Sequence, residues 1–557
     1  MSEIYSSMQM ILRFLALLIG FWPLFVADLS AQPATNPPRQ WSYLDPATDS
    51  VAGISLDKAY NLLKNRPSVP VIVGILDSGV DEKHEDLRDV IWTNPGELPD
   101  NQTDDDKNGY VDDRHGWNFL GAPNGTTSEY GQPEITHTYL LFREKYERAD
   151  RTSLSPTEKR QYDTYQAAKR LYLPRYAANR LKLAAFSDTT RFWQVAGQLT
   201  AQLPDSITSD QKIRLIPVDS DSVATTVRHL LADAYSPQYG SFGRYVRLVR
   251  LNWERFRQIV GDEALIAYNP DYSTSQTVGD DPANPYERQY GSPVMRLDNA
   301  PQLAIHGTHV AGIVGARRGN GLGIDGVADN VRIMPVSVVP SNGDERDKDI
   351  ANGIRYAVEN GAKVINMSFG KRLSPHKEAV DAAIRFAEQH DVLIVHAAGN
   401  NGENYDLIPA YPSAQFTDGS EARNVITVGN STEKLGKNLP AQSSNYGAQT
   451  VDLFAPGTDI LSTLPNGRYA SFTGTSMAAP CVAGVAALLR SYFPNLTAVQ
   501  VKEILMKSTY KPSLTVRQPG RSAILVPFSS LSRSGGILNA EQAVRYSEPG
   551  FVPDSKD

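Results

Sequence analysis

The chain has 557 residues, of which 41% are hydrophobic and 21% are charged, and its formal net charge is −7. This is the composition of a globular protein, so it excludes wholesale disorder, and the length predicts two or three domains. A chain this mildly acidic is not expected to bind nucleic acid, and its single cysteine, Cys481, excludes an intrachain disulfide.

The N-terminal segment predicts export. Residues 14–27 form an apolar run that follows Arg13 and precedes small and polar residues. This pattern is typical of a secretory signal peptide, predicted here as residues 1–31 with cleavage after Ala31. The run is shorter than the roughly 20 residues that a membrane span needs, but an uncleaved anchor and a misassigned start are the alternatives. The predicted location is therefore the periplasm, the cell envelope or the medium, and residues 32–53 are predicted as a linker.

Residues 54–136 are predicted as the first part of the main domain. Apolar residues at helical spacing predict a helix over 54–64, and the run 69–79 predicts a buried parallel strand that leads into a loop. Residues 137–262 differ, because they mix Arg and Lys with Leu and Tyr at helical spacing. They are predicted as a mainly α-helical insertion.

Residues 263–545 are predicted to complete the main domain, and residues 546–557 to form a tail. Short apolar strands alternate with amphipathic helices from residue 306 to about residue 510. That alternation predicts an α/β fold, a parallel twisted sheet with helices on both faces, to which the helical insertion is added.

Three segments carry side chains that together can perform nucleophilic catalysis: ILDSGVD at 75–81, HGTHVAG at 306–312 and GTSMAAP at 474–480. A serine hydroxyl is a poor nucleophile at neutral pH unless a base such as histidine takes its proton, and a carboxylate can orient that histidine. The three segments, in this order along the chain, resemble those of the subtilisin-like serine proteases, the subtilase family. The resemblance covers 69–119 and 270–510 and leaves the residues between them unmatched.

The resemblance implies a catalytic triad in which Ser476 is the nucleophile, His306 the general base and Asp77 the group that orients His306. The segment HAAGN resembles the family segment whose asparagine donates to the oxyanion, so Asn400 is the implied donor beside the backbone N–H of Ser476. Each triad residue alone has an ordinary structural explanation: a turn cap for Asp77, a helix start for His306 and a helix N-cap for Ser476.

Three further residues in these motifs are interpreted as structural. His309 lies one helical turn after the first histidine of its motif. Cys481 is interpreted as a small buried core residue. Pro480 is predicted in the first turn of the helix that carries the serine, where a missing N–H does little harm.

The segment Ser368-Phe369-Gly370 resembles the edge segment of the family, which pairs with an extended substrate. Such pairing uses backbone hydrogen bonds, so it tolerates many side chains. With Gly399 and Tyr411-Pro412, the segment is expected to outline the pocket for the side chain before the scissile bond. The alternative for each residue is ordinary strand or turn structure. The small residues suggest an open pocket that accepts large apolar side chains, although the sequence does not fix the preference.

The segment DDDKNGYVDD predicts a calcium-binding loop. Its oxygen-bearing side chains alternate around Gly109 as in the first positions of a calcium loop, and a backbone carbonyl can add a ligand. The predicted ligands are Asp104, Asp106, Asn108, Tyr110 and Asp112. Because the twelfth position is His115 and not the glutamate of an EF-hand, the loop is predicted to stand alone. The alternative is an exposed acidic turn, which like-charge repulsion disfavours in the absence of a cation.

The predicted function is that of an exported serine endopeptidase, which cleaves proteins or peptides through an acyl-enzyme on Ser476. One alternative is a binding or scaffold protein of the cell envelope that uses the helical insertion, with catalysis secondary or lost. A second alternative is a peptide ligase with the same triad. A structural calcium ion (Ca2+) is the expected cofactor, with no organic cofactor, and the insertion is a candidate surface for a regulatory partner. The short segment before 54–64 leaves no room for a folded pro-domain, so folding without one is expected.

Overall fold

The computed structural model describes residues 40–551 with short gaps. The gaps are 100, 129, 204–209, 219–220, 237–240, 255, 257–262 and 296–300. The predicted signal peptide lies outside the described residues, as do part of the predicted linker and part of the predicted tail. Among the helices of the described residues, none combines the length and the apolar composition that a membrane crossing requires.

The described residues divide into two compact units. Residues 40–134 together with 273–551 form the larger unit, and residues 135–272 form the smaller one. The segment predicted as a helical insertion, 137–262, lies within the smaller unit.

A parallel β-sheet forms the centre of the larger unit. Its strands in chain order are β1 (Val71–Asp77), β2 (Trp117–Asn118), β3 (Val331–Ser337), β4 (Val364–Met367), β5 (Leu393–Ala397), β6 (Val425–Ser431) and β7 (Leu453–Pro456). They lie side by side in the order β2-β3-β1-β4-β5-β6-β7, and each neighbouring pair is parallel. Two antiparallel pairs accompany the sheet: β8 (Ile460–Leu464) with β9 (Arg468–Phe472), and β10 (Thr515–Gln518) with β11 (Arg521–Pro527).

Both units of the described residues contain α-helices. In chain order they are α1 (Leu56–Leu63), α2 (Glu134–Tyr146), α3 (Pro156–Ser187), α4 (Thr189–Gln202), α5 (Asp210–Arg214), α6 (Ser222–Asp233), α7 (Phe242–Leu251), α8 (Thr274–Val278), α9 (Ile305–Gly315), α10 (Asp347–Glu359), α11 (Lys377–Gln389), α12 (Thr475–Tyr492), α13 (Ala498–Lys507) and α14 (Ala540–Tyr546).

Both faces of the sheet are covered, because its strands send alternate side chains into two apolar clusters. Val73 and Ile75 of β1 belong to the cluster that also contains residues of α9 and α12. Leu76 belongs to the cluster on the opposite face, with residues of α10 and α11. A strand buried on both faces needs apolar residues at successive positions, which explains the unbroken apolar runs of the sequence. The predicted fold class, a parallel α/β sheet with helices on both faces, is confirmed.

The order of the strands creates a crevice at the carboxyl end of β1. Strand β3 pairs with one side of β1 and strand β4 pairs with the other. Parallel strands end at the same edge of a sheet, and a reversal of strand order opens a crevice there in which α/β proteins bind ligands. Asp77 ends β1, Ser368 follows β4 and Gly399 follows β5, so all three lie at this edge.

The smaller unit is helical and has an apolar core of its own. Its longest helix, α3, begins with a capping box: the Ser155 hydroxyl accepts from the backbone N–H of Glu158, whose side chain accepts from the N–H of Ser155. Two such reciprocal bonds satisfy N–H groups that a helix start otherwise leaves without partners. Buried residues of α4, α6 and α7, including Phe192, Leu231 and Tyr245, form the core.

Candidate active site

The structure joins two of the three predicted triad residues by a hydrogen bond. Asp77 is 1% exposed, and its Oδ1 lies 2.7 Å from Nδ1 of His306, the second residue of α9. The same oxygen accepts from the backbone N–H of Ser78 at 2.8 Å. An ionised carboxylate only accepts hydrogen bonds, so this contact assigns the proton of a neutral imidazole to Nδ1 and leaves Nε2 able to accept one.

The position of His306 depends on a glycine. A Cβ atom on Gly307 would lie 2.1 Å from the backbone oxygen of Gly79 and 3.1 Å from Cβ of Asp77. Any larger residue would therefore push α9 away from the end of β1 and break the contact between imidazole and carboxylate.

Asp77 also sets the protonation of His306. Burial acts to lower the pKa of His306, but the charge of Asp77 and the hydrogen bond to it together outweigh burial, so the pKa lies above its usual value. The second histidine of the motif behaves differently. Burial lowers the pKa of His309 to about 3, and its ring stacks on Phe472, so it remains neutral in the core.

Ser476 is the second residue of α12 and exchanges hydrogen bonds with Ser368. Its hydroxyl donates to the backbone carbonyl of Ser368 at 3.1 Å, and the Ser368 hydroxyl donates to the backbone carbonyl of Ser476 at 2.9 Å. No hydrogen bond joins His306 and Ser476 within the described residues.

Pro480 explains why the carbonyl of Ser476 is open to this contact. The helix begins at Thr475, so Pro480 is its sixth residue and lies in the second turn, and the prediction that it lies in the first turn is wrong. A helical residue normally donates its N–H to the carbonyl four positions earlier, and proline has none to donate. The Ser368 hydroxyl takes the place that this missing N–H leaves.

The amide of Asn400 is oriented by the start of α12. Its Oδ1 accepts from the backbone N–H of Thr475 at 2.9 Å and from the Thr475 hydroxyl at 3.2 Å. A backbone N–H can only donate, so this contact identifies Oδ1 and turns the Nδ2 group away from Thr475. Nδ2 lies 3.4 Å from the place where a Cβ of Gly474 would stand, so the glycine keeps this side of the amide open.

The predicted substrate-binding residues Ser368, Phe369 and Gly370 directly follow β4. The backbone carbonyl of Phe369 lies 2.8 Å from Nε2 of His396, a residue of β5 that sequence reasoning missed. Burial lowers the pKa of His396 to about 4, so the ring is neutral and can donate to this carbonyl. A Cβ on Gly370 would lie 3.3 Å from the backbone oxygen of Tyr411 and 3.5 Å from the His396 ring. The structure thus brings Gly370, His396 and Tyr411 together.

Gly399 lies two residues after the last residue of β5. It has a positive φ of 91°, and a Cβ there would lie 2.6 Å from Nδ2 of Asn445 and 2.9 Å from the Tyr405 hydroxyl. Both the backbone angle and the neighbouring side chains therefore favour glycine. Asn445 holds this turn, since its Nδ2 donates to the carbonyl of Ala398 at 2.8 Å.

A tight group of carboxylates lies in and beside the predicted calcium loop, but it differs from the predicted ligand set. Glu97, Asp106 and Asp113 each place one oxygen within 4.8 Å of the others. Asn94 and Asn108 donate to both Asp106 and Asp113. Burial raises the pKa of Asp113 to about 6 and raises that of Glu97. One oxygen of Glu97, Oε2, is buried and has no hydrogen-bond partner among the described residues.

The other predicted ligands have different partners. Asp104 accepts from the backbone N–H groups of Asn108 and Gly109, and Asp112 accepts from those of Asn101 and Gln102. The predicted ligand of Tyr110 is its backbone carbonyl, which stays a prediction; the side chain is buried against aromatic neighbours. The structure therefore gathers Asp106 and Asn108 with two acidic residues that the sequence pattern missed.

The sequence is similar to those of known proteases. The sequence profile of the subtilase family matches residues 70–533. A thermophilic serine proteinase of Bacillus sp. (strain AK1) is 41% identical over 215 residues, which are 38% of this chain and 49% of that protein. Thermitase of Thermoactinomyces vulgaris is 40% identical over 195 residues, 35% of this chain and 64% of that protein. A cell wall-associated protease of Bacillus subtilis (strain 168) is 39% identical over 215 residues, 39% of this chain and 22% of that protein.

A solved structure of proteases from Pseudoalteromonas arctica aligns with 93% of this chain and 99% of that chain, at a TM-score of 0.45 and 20% identity. The matched segments span less than two thirds of the length of each relative named above. The family profile, in contrast, covers both parts of the larger unit and the site at the edge of its sheet. The chain belongs to the subtilase family.

Proposed function

We propose that this protein is a serine endopeptidase that hydrolyses peptide bonds through an acyl-enzyme on Ser476. The observation that carries the proposal is the 2.7 Å contact between Asp77 and His306, at the sheet edge where Ser368 contacts Ser476. A buried carboxylate that fixes a histidine beside a helix start bearing a serine is an arrangement suited to acyl transfer.

The first step forms a bond between Oγ of Ser476 and the carbonyl carbon of the scissile peptide. As that bond forms, Nε2 of His306 takes the hydroxyl proton, and Asp77 stabilises the imidazolium. The hydroxyl must first leave the carbonyl of Ser368, its partner in the structure. A substrate strand that pairs with residues 368–370 offers its own N–H to that carbonyl and so favours the release.

The carbonyl oxygen of the substrate becomes an oxyanion in this step. Asn400 can donate from Nδ2, and Ser476 can donate its backbone N–H, which lies in the first turn of α12 and has no intrahelical acceptor. His306 then returns the proton to the leaving amine, whose bond to the carbonyl carbon breaks. A water molecule hydrolyses the acyl-enzyme by the same sequence of proton transfers, which restores the Ser476 hydroxyl.

Labelling with a fluorophosphonate probe tests this function. The wild-type protein should be labelled on Ser476 and should cleave an unstructured protein such as casein, whereas Ser476→Ala should do neither while it keeps its fold. A folded wild-type protein that is neither labelled nor active would refute the endopeptidase and would favour the scaffold alternative. Product analysis by mass spectrometry separates hydrolysis from peptide ligation, because ligation joins two peptides in place of adding water.

We also propose that Glu97, Asp106 and Asp113 bind a structural calcium ion. Calcium prefers several hard oxygen ligands, and the three carboxylates supply them within 4.8 Å of one another. The partnerless, buried Oε2 of Glu97 is a second observation, since a buried carboxylate oxygen normally has a partner. A cation would satisfy this oxygen and offset the repulsion among the three charges.

Thermal unfolding tests the calcium site and its ligands. Calcium should raise the melting temperature of the wild-type protein by several degrees, since a ligand at 100 times its Kd adds about 2.7 kcal/mol of stability. Glu97→Gln should abolish most of this shift. Asp112→Asn serves as a matched control and should keep it, because Asp112 accepts from backbone N–H groups instead. A shift that survives Glu97→Gln but is lost in Asp112→Asn would favour the ligand set expected from the sequence, and no shift in the wild type would refute the site.

Export is proposed on the N-terminal sequence pattern, which lies outside the described residues. A protein that cleaves other proteins is compatible with this location, and one relative is named as cell wall-associated. Protein isolated from the medium or the periplasm of the native host should lack residues 1–31. A full-length N-terminus on protein in the cytoplasmic fraction would refute the proposal.

A further inference from the structure

An ion pair joins the two segments that flank the substrate pocket. Arg372 lies two residues after Gly370, and Glu403 lies four residues after Gly399. Their side chains contact each other through Nη2 of Arg372 and Oε2 of Glu403. The pair therefore connects the segment that follows β4 with the segment that follows β5, beyond the two glycines.

The backbone on the Arg372 side is held firmly. The preceding residue, Lys371, is buried, and its Nζ contacts Oε2 of Glu134 at 2.5 Å, the carbonyl of Glu345 at 2.6 Å and Oδ1 of Asp347 at 2.8 Å. The backbone of Lys371 also exchanges two hydrogen bonds of 2.9 Å with Tyr411. These contacts fix the chain immediately before the guanidinium-bearing residue.

The backbone on the Glu403 side is held by Asn445. Oδ1 of Asn445 accepts from the N–H groups of Asn401 at 3.1 Å and of Glu403 at 2.9 Å. The carbonyl of Glu403 accepts from the N–H of Tyr446 at 3.0 Å. Both members of the pair therefore extend from ordered backbone, which lowers the entropic cost of holding them together.

The two side chains of the pair are partly exposed to solvent. The side chains of Arg372 and Glu403 are 36% and 32% exposed, unlike the buried groups around them. Nη1 of Arg372 and Oε2 of Glu403 are themselves buried, and Nη1 has no hydrogen-bond partner among the described residues. The nearby polar rings are uncharged: burial lowers the pKa of His396 to about 4 and raises the pKa of Tyr405.

We propose that Arg372 and Glu403 close the far end of the pocket and make the enzyme select an uncharged side chain before the scissile bond. The pair carries one positive and one negative charge, so the end of the pocket is neutral while both are present. An acidic substrate side chain meets Glu403, and a basic one meets Arg372; either must compete with an existing partner for the opposite charge. The inference rests on the proposed endopeptidase function.

Removal of one charge at a time tests this inference. Glu403→Gln leaves Arg372 as the sole charge, and Arg372→Gln leaves Glu403. The substrates are peptides that differ only in the residue before the scissile bond: glutamine against glutamate, and methionine against lysine. Glu403→Gln should raise kcat/KM for glutamate relative to glutamine by about tenfold, as for a charge pair that is partly shielded from water. Arg372→Gln should raise the lysine to methionine ratio by a similar factor.

A matched control removes a charge elsewhere. Glu388 pairs with Arg423 near the end of α11, a helix whose last residues precede the amino end of β5 and so lie away from the catalytic edge. Glu388→Gln should keep the wild-type ratios. Unchanged ratios in both pocket variants, while the probe still labels Ser476, would overturn the role of the pair. A wild-type protein without labelling would instead refute the proposed function.

Discussion

At the scale of single residues, the contact between Asp77 and His306 affects the pH at which the proposed base, His306, loses its proton. The carboxylate raises the pKa of His306, and burial opposes it. A raised pKa makes the imidazole a stronger base, but it also means that the ring takes up a proton at a higher pH than an isolated histidine would. The proton must be absent for His306 to accept one from Ser476.

The decrease of kcat/KM on the acidic limb of the pH profile should therefore follow the protonation of His306. As pH falls through the raised pKa, the ring becomes protonated and kcat/KM should fall. Asp77→Asn removes the charge that raises this pKa, so the limb should move to lower pH, and kcat should fall by roughly 10⁴-fold because the tautomer is no longer held. The measurement is kcat/KM against pH with a chromogenic peptide.

Asp89→Asn provides the control for this profile, because the Asp89 carboxylate pairs with Arg317 on the surface and leaves His306 untouched. Its acidic limb should coincide with that of the wild type. If Asp77→Asn left the limb where it was, the group that controls activity would have to be one other than His306.

At the scale of secondary-structure elements, one exchange of hydrogen bonds connects strand β4 to helix α12. Pro480 cannot donate to the carbonyl of Ser476, and the hydroxyl of Ser368 donates there instead. The helix start thus depends on a residue from another element, and this contact holds the proposed nucleophile against the proposed substrate-binding segment.

A double-mutant cycle between Ser368 and Pro480 should reveal this exchange. Ser368→Ala should lower the free energy of unfolding by about 1–3 kcal/mol, because the carbonyl of Ser476 loses its donor. In a Pro480→Ala background the loss should be smaller, since the new N–H at position 480 can donate to the same carbonyl. Both losses in the free energy of unfolding are measured by denaturant unfolding in a His306→Ala background, which prevents self-digestion. Equal losses in the two backgrounds would show that the residues act independently.

The sequence predicted most of the sheet, because buried parallel strands require unbroken apolar runs such as the one in β1. It also predicted that Asp77 lies where a buried parallel strand ends, at the edge where a parallel sheet brings its functional residues together. The resemblance to the family added the catalytic and substrate-binding roles of individual residues, and these roles remain proposals. Local pattern was sufficient for these features because each depends on neighbours within a few residues.

Three features that depend on contacts between different segments had no signal in the sequence and were not predicted. Glu97 lies outside the spacing that signals a calcium loop, and only the fold brings it to Asp106. The exchange at Pro480 required knowledge of where α12 begins and of which side chain lies opposite it. The pair of Arg372 and Glu403 has no sequence signal, since two opposite charges 31 positions apart are common in any chain.

At the scale of the whole molecule, the proposed catalytic residues and the helices of residues 135–272 belong to different units. Asp77, His306, Asn400 and Ser476 all lie in the larger unit, as do both apolar clusters that cover its sheet. The smaller unit, residues 135–272, has its own core. Near its ends, the hydroxyl of Thr136 donates to the backbone carbonyl of Ala267 at 2.7 Å, so the chain enters and leaves this unit at neighbouring points.

Removal of the smaller unit should therefore leave the chemistry in place. A short glycine-serine linker in place of residues 137–266 can span the gap, because the hydrogen bond between Thr136 and Ala267 already brings the two ends together. The shortened protein should be labelled by the fluorophosphonate and should cleave a short peptide with kcat/KM within about tenfold of the full chain, a difference of about 1.4 kcal/mol in the barrier. The same deletion with Ser476→Ala controls for labelling elsewhere. A shortened protein that still unfolds cooperatively but is not labelled would show that the helical unit takes part in forming the site, and the separation of roles between the units would then be wrong.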